Sequence, residues 1–188
     1  MQVAVTGAAG LLGRAAVPLL LEAGHAVIAL GRDPVRLREV LGAGPRCRVT
    51  SYEEGDLAEA MAGCDAVVHL AARRVAPAGE GEAAFAGPNL ALSRRVLRAA
   101  SASGVGAVVL ASSVSVYSPV NALPYSEEEV PVPSGPYGRS KLAAERLALE
   151  WAAGTGGRAV ALRLASLVGS GDRTGAGRML AVFLDRAR

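Results

Sequence analysis

Met1-Gln2-Val3-Ala4-Val5-Thr6-Gly7-Ala8-Ala9-Gly10-Leu11-Leu12-Gly13-Arg14 is the stretch on which the reading of this chain turns. A short apolar run, Val3-Ala4-Val5, leads into a glycine turn and then into an apolar helical pattern. Strand, glycine turn and helix in that order begin a mononucleotide-binding unit. Each glycine has a physical task. Gly7 can take the angles of a sharp turn that a Cβ would obstruct. Gly10 lets the backbone approach a pyrophosphate, and Gly13 lets the helix sit close to the strand. The helix N-terminus offers N–H groups and partial positive charge to phosphates. Gly7, Gly10, Leu11, Leu12 and Gly13 are therefore the first cofactor-binding candidates. Position 8 is Ala, so the pattern is GxxGxxG and not GxGxxG. By itself it describes a glycine-rich turn in any α/β protein. The flanking strand and helix favour dinucleotide binding.

The composition narrows the alternatives. A chain of 188 residues suggests one domain, and 51% hydrophobic residues can fill a sizeable core. The 20 basic and 17 acidic residues are mixed along the chain, for a net charge of +3. No basic run or aromatic platform points to nucleic acid. Cys47 and Cys64 have neither metal-ligand spacing nor a disulfide framework to join. They read as reduced, mostly buried thiols of a cytoplasmic protein, and no metal site is expected. The N-terminus has no basic n-region of a signal peptide. No apolar run approaches the ~20 residues of a membrane span.

Working outward, the chain alternates strand and helix six times. Strands are expected at 2–6, 25–30, 46–50, 64–70, 107–111 and 158–164. Helices are expected at 11–23, closed by Gly24 and locally disturbed by Pro18, and at 34–41, opened by Pro34. Ser51 with Glu54 three residues on reads as a capping box for a helix at 52–62. Longer helices follow at 83–102 and 137–153, and a short one near 176–187. Residues 72–82 read as a mobile loop, and 114–134 as a loop with four prolines. The strands are short and apolar on both faces, as buried parallel strands are. The predicted fold is a doubly wound parallel sheet of the Rossmann type, in the order 3-2-1-4-5-6.

In such a sheet the ligand lies outside the carboxyl ends of the strands. After strand two the sequence is Leu30-Gly31-Arg32-Asp33. A carboxylate directly after the strand would bond the ribose hydroxyls of NAD. Gly31 stands there instead, and Arg32, with Arg14 just past the glycine loop, can hold the 2′-phosphate of NADP. NADP is therefore favoured over NAD, with Asp33 turning inward to NAD as the alternative. Adenine is expected at the end of strand three, by Ser51 and Tyr52. Asp56 stands too close to Asp65 to end that strand. After strand four, Leu70-Ala71-Ala72 brings small residues to the cofactor, and His69 reads as a partly buried strand-end histidine.

Tyr137-Gly138-Arg139-Ser140-Lys141 carries the chemistry. Tyr and Lys four apart at a helix start point from one face. A tyrosine pKa near ~10 is too high for a base at neutral pH, and a nearby ammonium favours the phenolate. Such a tyrosine can exchange a proton with a substrate hydroxyl while hydride passes to or from a nicotinamide. The third partner is a hydroxyl at the end of strand five. Ser113 is the first choice, ahead of Ser112 and Ser115.

The chain resembles the extended short-chain dehydrogenase/reductase family, of the NAD(P)-dependent epimerase/dehydratase type. The matching residues run from Thr6 to Gly13, then His69-Leu70-Ala71-Ala72, Asn89, Ser112-Ser113-x-x-Val116-Tyr117, Ser134-x-Pro136-Tyr137-Gly138-Arg139-Ser140-Lys141, and Leu162-Arg163 followed by Val168-Gly169. The resemblance implies a Rossmann fold with bound NAD(P). It implies Tyr137 as acid/base, Lys141 as ribose holder and tuner of Tyr137, and Ser113 as partner of the substrate oxygen. It also carries Asn89, Ala165 and Ser166 to the cofactor neighbourhood; Ala111 and Ser112, at the end of strand five, complete the cofactor-binding candidates. A homodimer through helices 83–102 and 137–153 is a further implication. Three departures matter. The acid after strand two is missing, Ser51 replaces the aspartate often found after strand three, and Leu164-Ala165-Ser166 stands where sugar-nucleotide enzymes tend to have an Asn. Members also continue into a carboxyl-terminal substrate region, of which 165–188 would be only the start. The expected activity is oxidoreduction or epimerisation at a hydroxyl or carbonyl of a small substrate, a nucleotide sugar among the choices. A non-catalytic dinucleotide-binding redox sensor or scaffold is the alternative.

Overall fold

The computed structural model describes residues 1–73, 81 and 83–167. The expected helix near 176–187, most of the 72–82 loop and the Val168-Gly169 pair lie outside them. β1 (Gln2–Thr6), β2 (Ala26–Gly31), β3 (Arg46–Val49), β4 (Ala66–His69), β5 (Ala107–Ser113) and β6 (Arg158–Leu164) form one sheet. Its order is β3-β2-β1-β4-β5-β6, and every pairing is parallel. α1 (Leu11–Glu22), α2 (Pro34–Leu41), α3 (Glu54–Met61), α4 (Ala83–Ala102) and α5 (Pro136–Thr155) make the connections.

The two faces of the sheet carry two cores, and strand alternation sorts the side chains between them. Val3 and Val5 of β1, with Val27 and Ala29 of β2, meet Val17 of α1 and Leu37 of α2. Ala4, Ile28 and Leu30 point the other way, onto Leu57 and Met61 of α3, Val96 of α4 and Ala148 of α5. Period-two alternation in a sheet covered on both faces produces this sorting. Fully burying a leucine such as Leu37 or Leu57 contributes roughly 1.5–3 kcal/mol. Small residues at Ala99, Ala100 and Ala144 let α4 and α5 approach closely.

The helix ends follow local chemistry. α1 ends in a Schellman motif. Gly24 (φ 80°) donates to the Leu21 carbonyl and His25 to that of Leu20. α1 continues through Pro18. Asp33 caps α2 by accepting from the Val35 and Arg36 N–H groups, both at 3.0 Å, with Pro34 in the first turn. The start of α3 differs from the expected capping box. The helix begins at Glu54, and Asp56, not Glu54, reaches back to Ser51. The reason is the turn before it, where Tyr52 takes a positive φ of 64° and delays the helix.

Gly13 illustrates how tightly the first turn is built. A Cβ there would overlap the backbone carbonyl of Ala8. Gly55, in α3, has nothing within 4 Å of that position. Gly13→Ala should therefore lower stability by about 1–3 kcal/mol, and Gly55→Ala should leave it unchanged or raise it by up to about 1 kcal/mol. Urea melts of the two variants check this; equal effects would contradict the packing described.

Candidate functional site

The carboxyl ends of the strands open onto a groove made of two connected cavities. One, of about 300 Å³, is walled by the glycine turn, the end of β5 and the start of α5. The other, of about 610 Å³, runs from the same turn past the ends of β2 and β3. Gly7, Gly10, Leu70 and Ala72 border both. Leu11, Leu12, Gly13, Ala111, Ser112, Ser113, Tyr137, Lys141, Ala165 and Ser166 border the first. Arg32, Asp33, Ser51, Tyr52, Ala71 and Asn89 border the second. The residues named as catalytic or cofactor-binding candidates thus all border one groove, whereas Arg14 and His69 do not line it.

Backbone geometry forms the shared floor. Gly7 has φ 69°, and a Cβ on it would lie 2.7 Å from the Ala71 nitrogen. Gly10 donates to the Gly7 carbonyl at 2.9 Å. As the N-cap of α1, Gly10 brings no side chain to the helix N-terminus. A turn whose only side chains are the methyls of Ala8 and Ala9, in front of a helix start, is a cradle for a phosphate group. Thr6 fastens the turn from below. Its hydroxyl is 2.7 Å from His69 Nδ1 and accepts the Ala71 N–H at 3.3 Å. His69 Nε2 meets Ser93 Oγ at 3.2 Å. Burial, and secondarily Lys141, holds the His69 pKa far below its usual value. It is a neutral link in a buried chain at the strand end, more deeply buried than the partly buried position expected from the sequence. Asn89 clamps the Arg73 backbone, accepting its N–H at 2.8 Å and donating to its carbonyl at 2.9 Å.

The other end of the groove is organised by α5. Gly138 lies so close to the Ser115 carbonyl that a Cβ would overlap it. This contact seats the first turn of α5 on the Ser113–Ser115 segment, and the sequence reading gave Gly138 no such role. Lys141 Nζ donates to the Ala111 carbonyl at 2.8 Å and lies 5.8 Å from the centre of the Tyr137 ring. Ser113 Oγ donates to Ser115 Oγ and accepts the Ser115 N–H, each at 3.1 Å. Ser112 is different. Its hydroxyl donates to the buried carboxylate of Glu145, which Arg163 pairs at 2.9 Å. Arg163 also reaches the Tyr117 hydroxyl. Ser112 therefore borders the cavity with its hydroxyl directed to a charged network, and Ser113 is the serine whose hydroxyl bonds locally at the rim. Glu145 escaped the sequence reading, and Arg163 entered it only as part of the matching Leu162-Arg163 pair, with no role given. The recurrence of Tyr137, Lys141 and Glu145 every fourth residue on one helix face was the available signal.

Lys141 is the only lysine in the chain. Burial lowers its pKa to about 8. The sign follows from which form is disfavoured: a dry ammonium loses hydration, so its proton leaves earlier than from an exposed lysine. Between pH ~8 and the ordinary lysine value the unfolded chain binds more protons than the folded one, so this residue makes stability rise with pH across that window. Carbon-13 labelling of lysine gives one side-chain signal. Its titration midpoint should fall near 8, and a midpoint above 10 would contradict the buried position.

A family model described as the NAD dependent epimerase/dehydratase family matches residues 3–188. The UDP-glucose 4-epimerase of Corynebacterium glutamicum is 29% identical over 188 residues, covering 98% of this chain and 56% of the relative. The crystal structure of UDP-N-acetylglucosamine 4-epimerase from Bacillus cereus superposes with a TM-score of 0.84 at 31% identity, over 100% of this chain and 66% of that one. That of UDP-glucose 4-epimerase from Brucella ovis in complex with NAD gives 0.76 at 29% identity, over 86% and 51%. The chain spans about half the length of the curated relatives it matches. With a parallel sheet in the order β3-β2-β1-β4-β5-β6 and a glycine turn at its carboxyl edge, the match over residues 3–188 shows that the chain belongs to the NAD-dependent epimerase/dehydratase family.

Proposed function

We propose that this chain carries the dinucleotide site and the proton-transfer residues of an NAD(P)-dependent oxidoreductase or epimerase. Its substrate is a small molecule with a reactive hydroxyl or carbonyl, and nucleotide sugars, which relatives are named for, belong to that class. The observation that carries the reading is the continuity of the groove. Gly7 and Gly10 of the glycine turn line the same cavity as Ser113, Tyr137 and Lys141. When bound, NAD(P) supplies or accepts hydride at its nicotinamide. Tyr137 gives or takes the proton of the substrate oxygen. Lys141 keeps a positive charge beside the phenol ring, which favours the phenolate. The Ser113 hydroxyl, held by Ser115, orients the same substrate oxygen.

The preference for NADP over NAD has a specific support. Asp33 is the nearest carboxylate after β2, and its Oδ1 accepts two N–H groups at the start of α2. That commits one of its two carboxylate oxygens to the helix cap. Arg32 and Arg36 border the same cavity. The two free cysteines suit a reducing cytoplasm, and none of the described helices is long and apolar enough to cross a membrane. A homodimer through α4 and α5 would cover Leu149, which is 59% exposed.

Two variants test the reading. Tyr137→Phe should lower turnover by about 10²–10⁴-fold, with NADPH affinity changed only slightly. The assay is any member of a carbonyl and sugar-nucleotide panel that the wild-type chain converts. Retained turnover would remove Tyr137 from the chemistry. Arg32→Ala should change the NADPH/NADH affinity ratio by about 10- to 100-fold, as expected for one charge-assisted bond. An unchanged ratio would end the NADP preference.

A further inference from the structure

We propose that Tyr52 is a positioning residue for a phosphate-bearing ligand in the glycine cradle, acting through the hydroxyl that ties Gly7 to the end of β2. The proposal rests on the dinucleotide reading and names a residue that sets its affinity. The Tyr52 hydroxyl accepts the Gly7 N–H and donates to the Leu30 carbonyl, each at 3.2 Å. It thereby bridges the ends of two neighbouring strands at the mouth of the groove. Gly7 is the cradle residue with a positive φ, 69°, and glycine is the most conformationally free residue type. The hydroxyl makes that point of the turn fixed. Less ordering is then left for the moment of binding, and affinity rises accordingly.

The surrounding residues are arranged to deliver this ring. Tyr52 is the only non-glycine residue with positive φ among those described. Its N–H donates to Thr50 Oγ1 at 3.0 Å, and Thr50 Oγ1 donates to Asp56 Oδ2 at 2.8 Å. The same carboxylate oxygen accepts the N–H and hydroxyl of Ser51 at 2.6 and 2.9 Å. These bonds, the Ser51 N–H first, hold the Asp56 carboxyl below the usual carboxylate range. Burial pushes the Tyr52 phenol upward, so it stays a neutral donor and acceptor. A tyrosine serving only the core would need neither the unusual backbone nor a bond to the first cradle amide.

The test is Tyr52→Phe, which keeps the ring and removes the hydroxyl. Calorimetric titration with NADPH, NADH and ADP-ribose should show each binding about tenfold more weakly, because all three carry the pyrophosphate. The Gly7 amide of the unliganded variant should exchange its proton several-fold faster, while the melting temperature falls by only a few degrees. A role in fold stability alone would move the melting temperature and leave the affinities in place. Unchanged or tighter binding overturns the proposal, and so does a loss confined to NADPH, which would assign Tyr52 to the 2′-phosphate instead. If Tyr52→Phe does not fold, Asp56→Asn loosens the same turn from outside the cavity. It should weaken all three ligands, and unchanged affinities overturn the proposal. Wild-type chain that binds none of the three refutes the dinucleotide reading itself.

Discussion

Gly138 has to be glycine because the Ser115 carbonyl occupies the place of a side chain. That contact sets how closely α5 approaches the end of β5, and the chemical half of the groove depends on it. One turn along the helix, the single lysine reaches the Ala111 carbonyl. Another turn on, Glu145 takes the Ser112 hydroxyl and the Arg163 guanidinium. Gly138, Lys141 and Glu145, on one helix face, thus hold Ser115, Ala111 and Ser112 at and just beyond the end of β5. Buried charges of this kind add little net stability, because desolvation offsets most of their attraction. Their value lies in geometry: removing one partner leaves the other stranded, so the arrangement is tightly specified.

The opposite half of the groove relies on backbone and neutral groups. Gly7 and Gly10 keep side chains out of the place a phosphate would take. Thr6, His69 and Ser93 fill the space beneath with a chain of hydrogen bonds. His69 is kept neutral by burial, so the lysine across the sheet edge meets no competing cation there. The two halves meet at Leu70 and Ala72, where β4 ends and small residues leave room for an extended ligand. A long groove with a charge-free floor at one end and an ammonium beside a phenol at the other suits a molecule built like a dinucleotide.

Much of this was legible in the chain. Alternating apolar strands and helices carried the sheet order, since parallel strands buried on both faces leave few other topologies. The spacing of Tyr137 and Lys141 put both on one face at the start of α5, where they border the same cavity. What stayed hidden depends on contacts between residues distant in sequence. Ser112 and Ser113 are indistinguishable as neighbours until Glu145, 33 residues on, takes one of them. In sequence Asp33 reads only as a ribose partner for NAD, and the cap it forms on α2 emerges from two backbone N–H groups. Ser51 with Glu54 matches a capping pattern, yet the positive φ of Tyr52 moves the helix start and hands the role to Asp56. Asn89 was carried to the cofactor region by resemblance, and its visible task is to hold the Arg73 backbone.

The central claim is that the groove holds a dinucleotide. Mass spectrometry of nucleotide released by denaturing the purified chain tests it most directly. The account predicts NADP or NAD in the released fraction, or uptake of either by chain purified without ligand. A nucleotide-free preparation that takes up neither would contradict it.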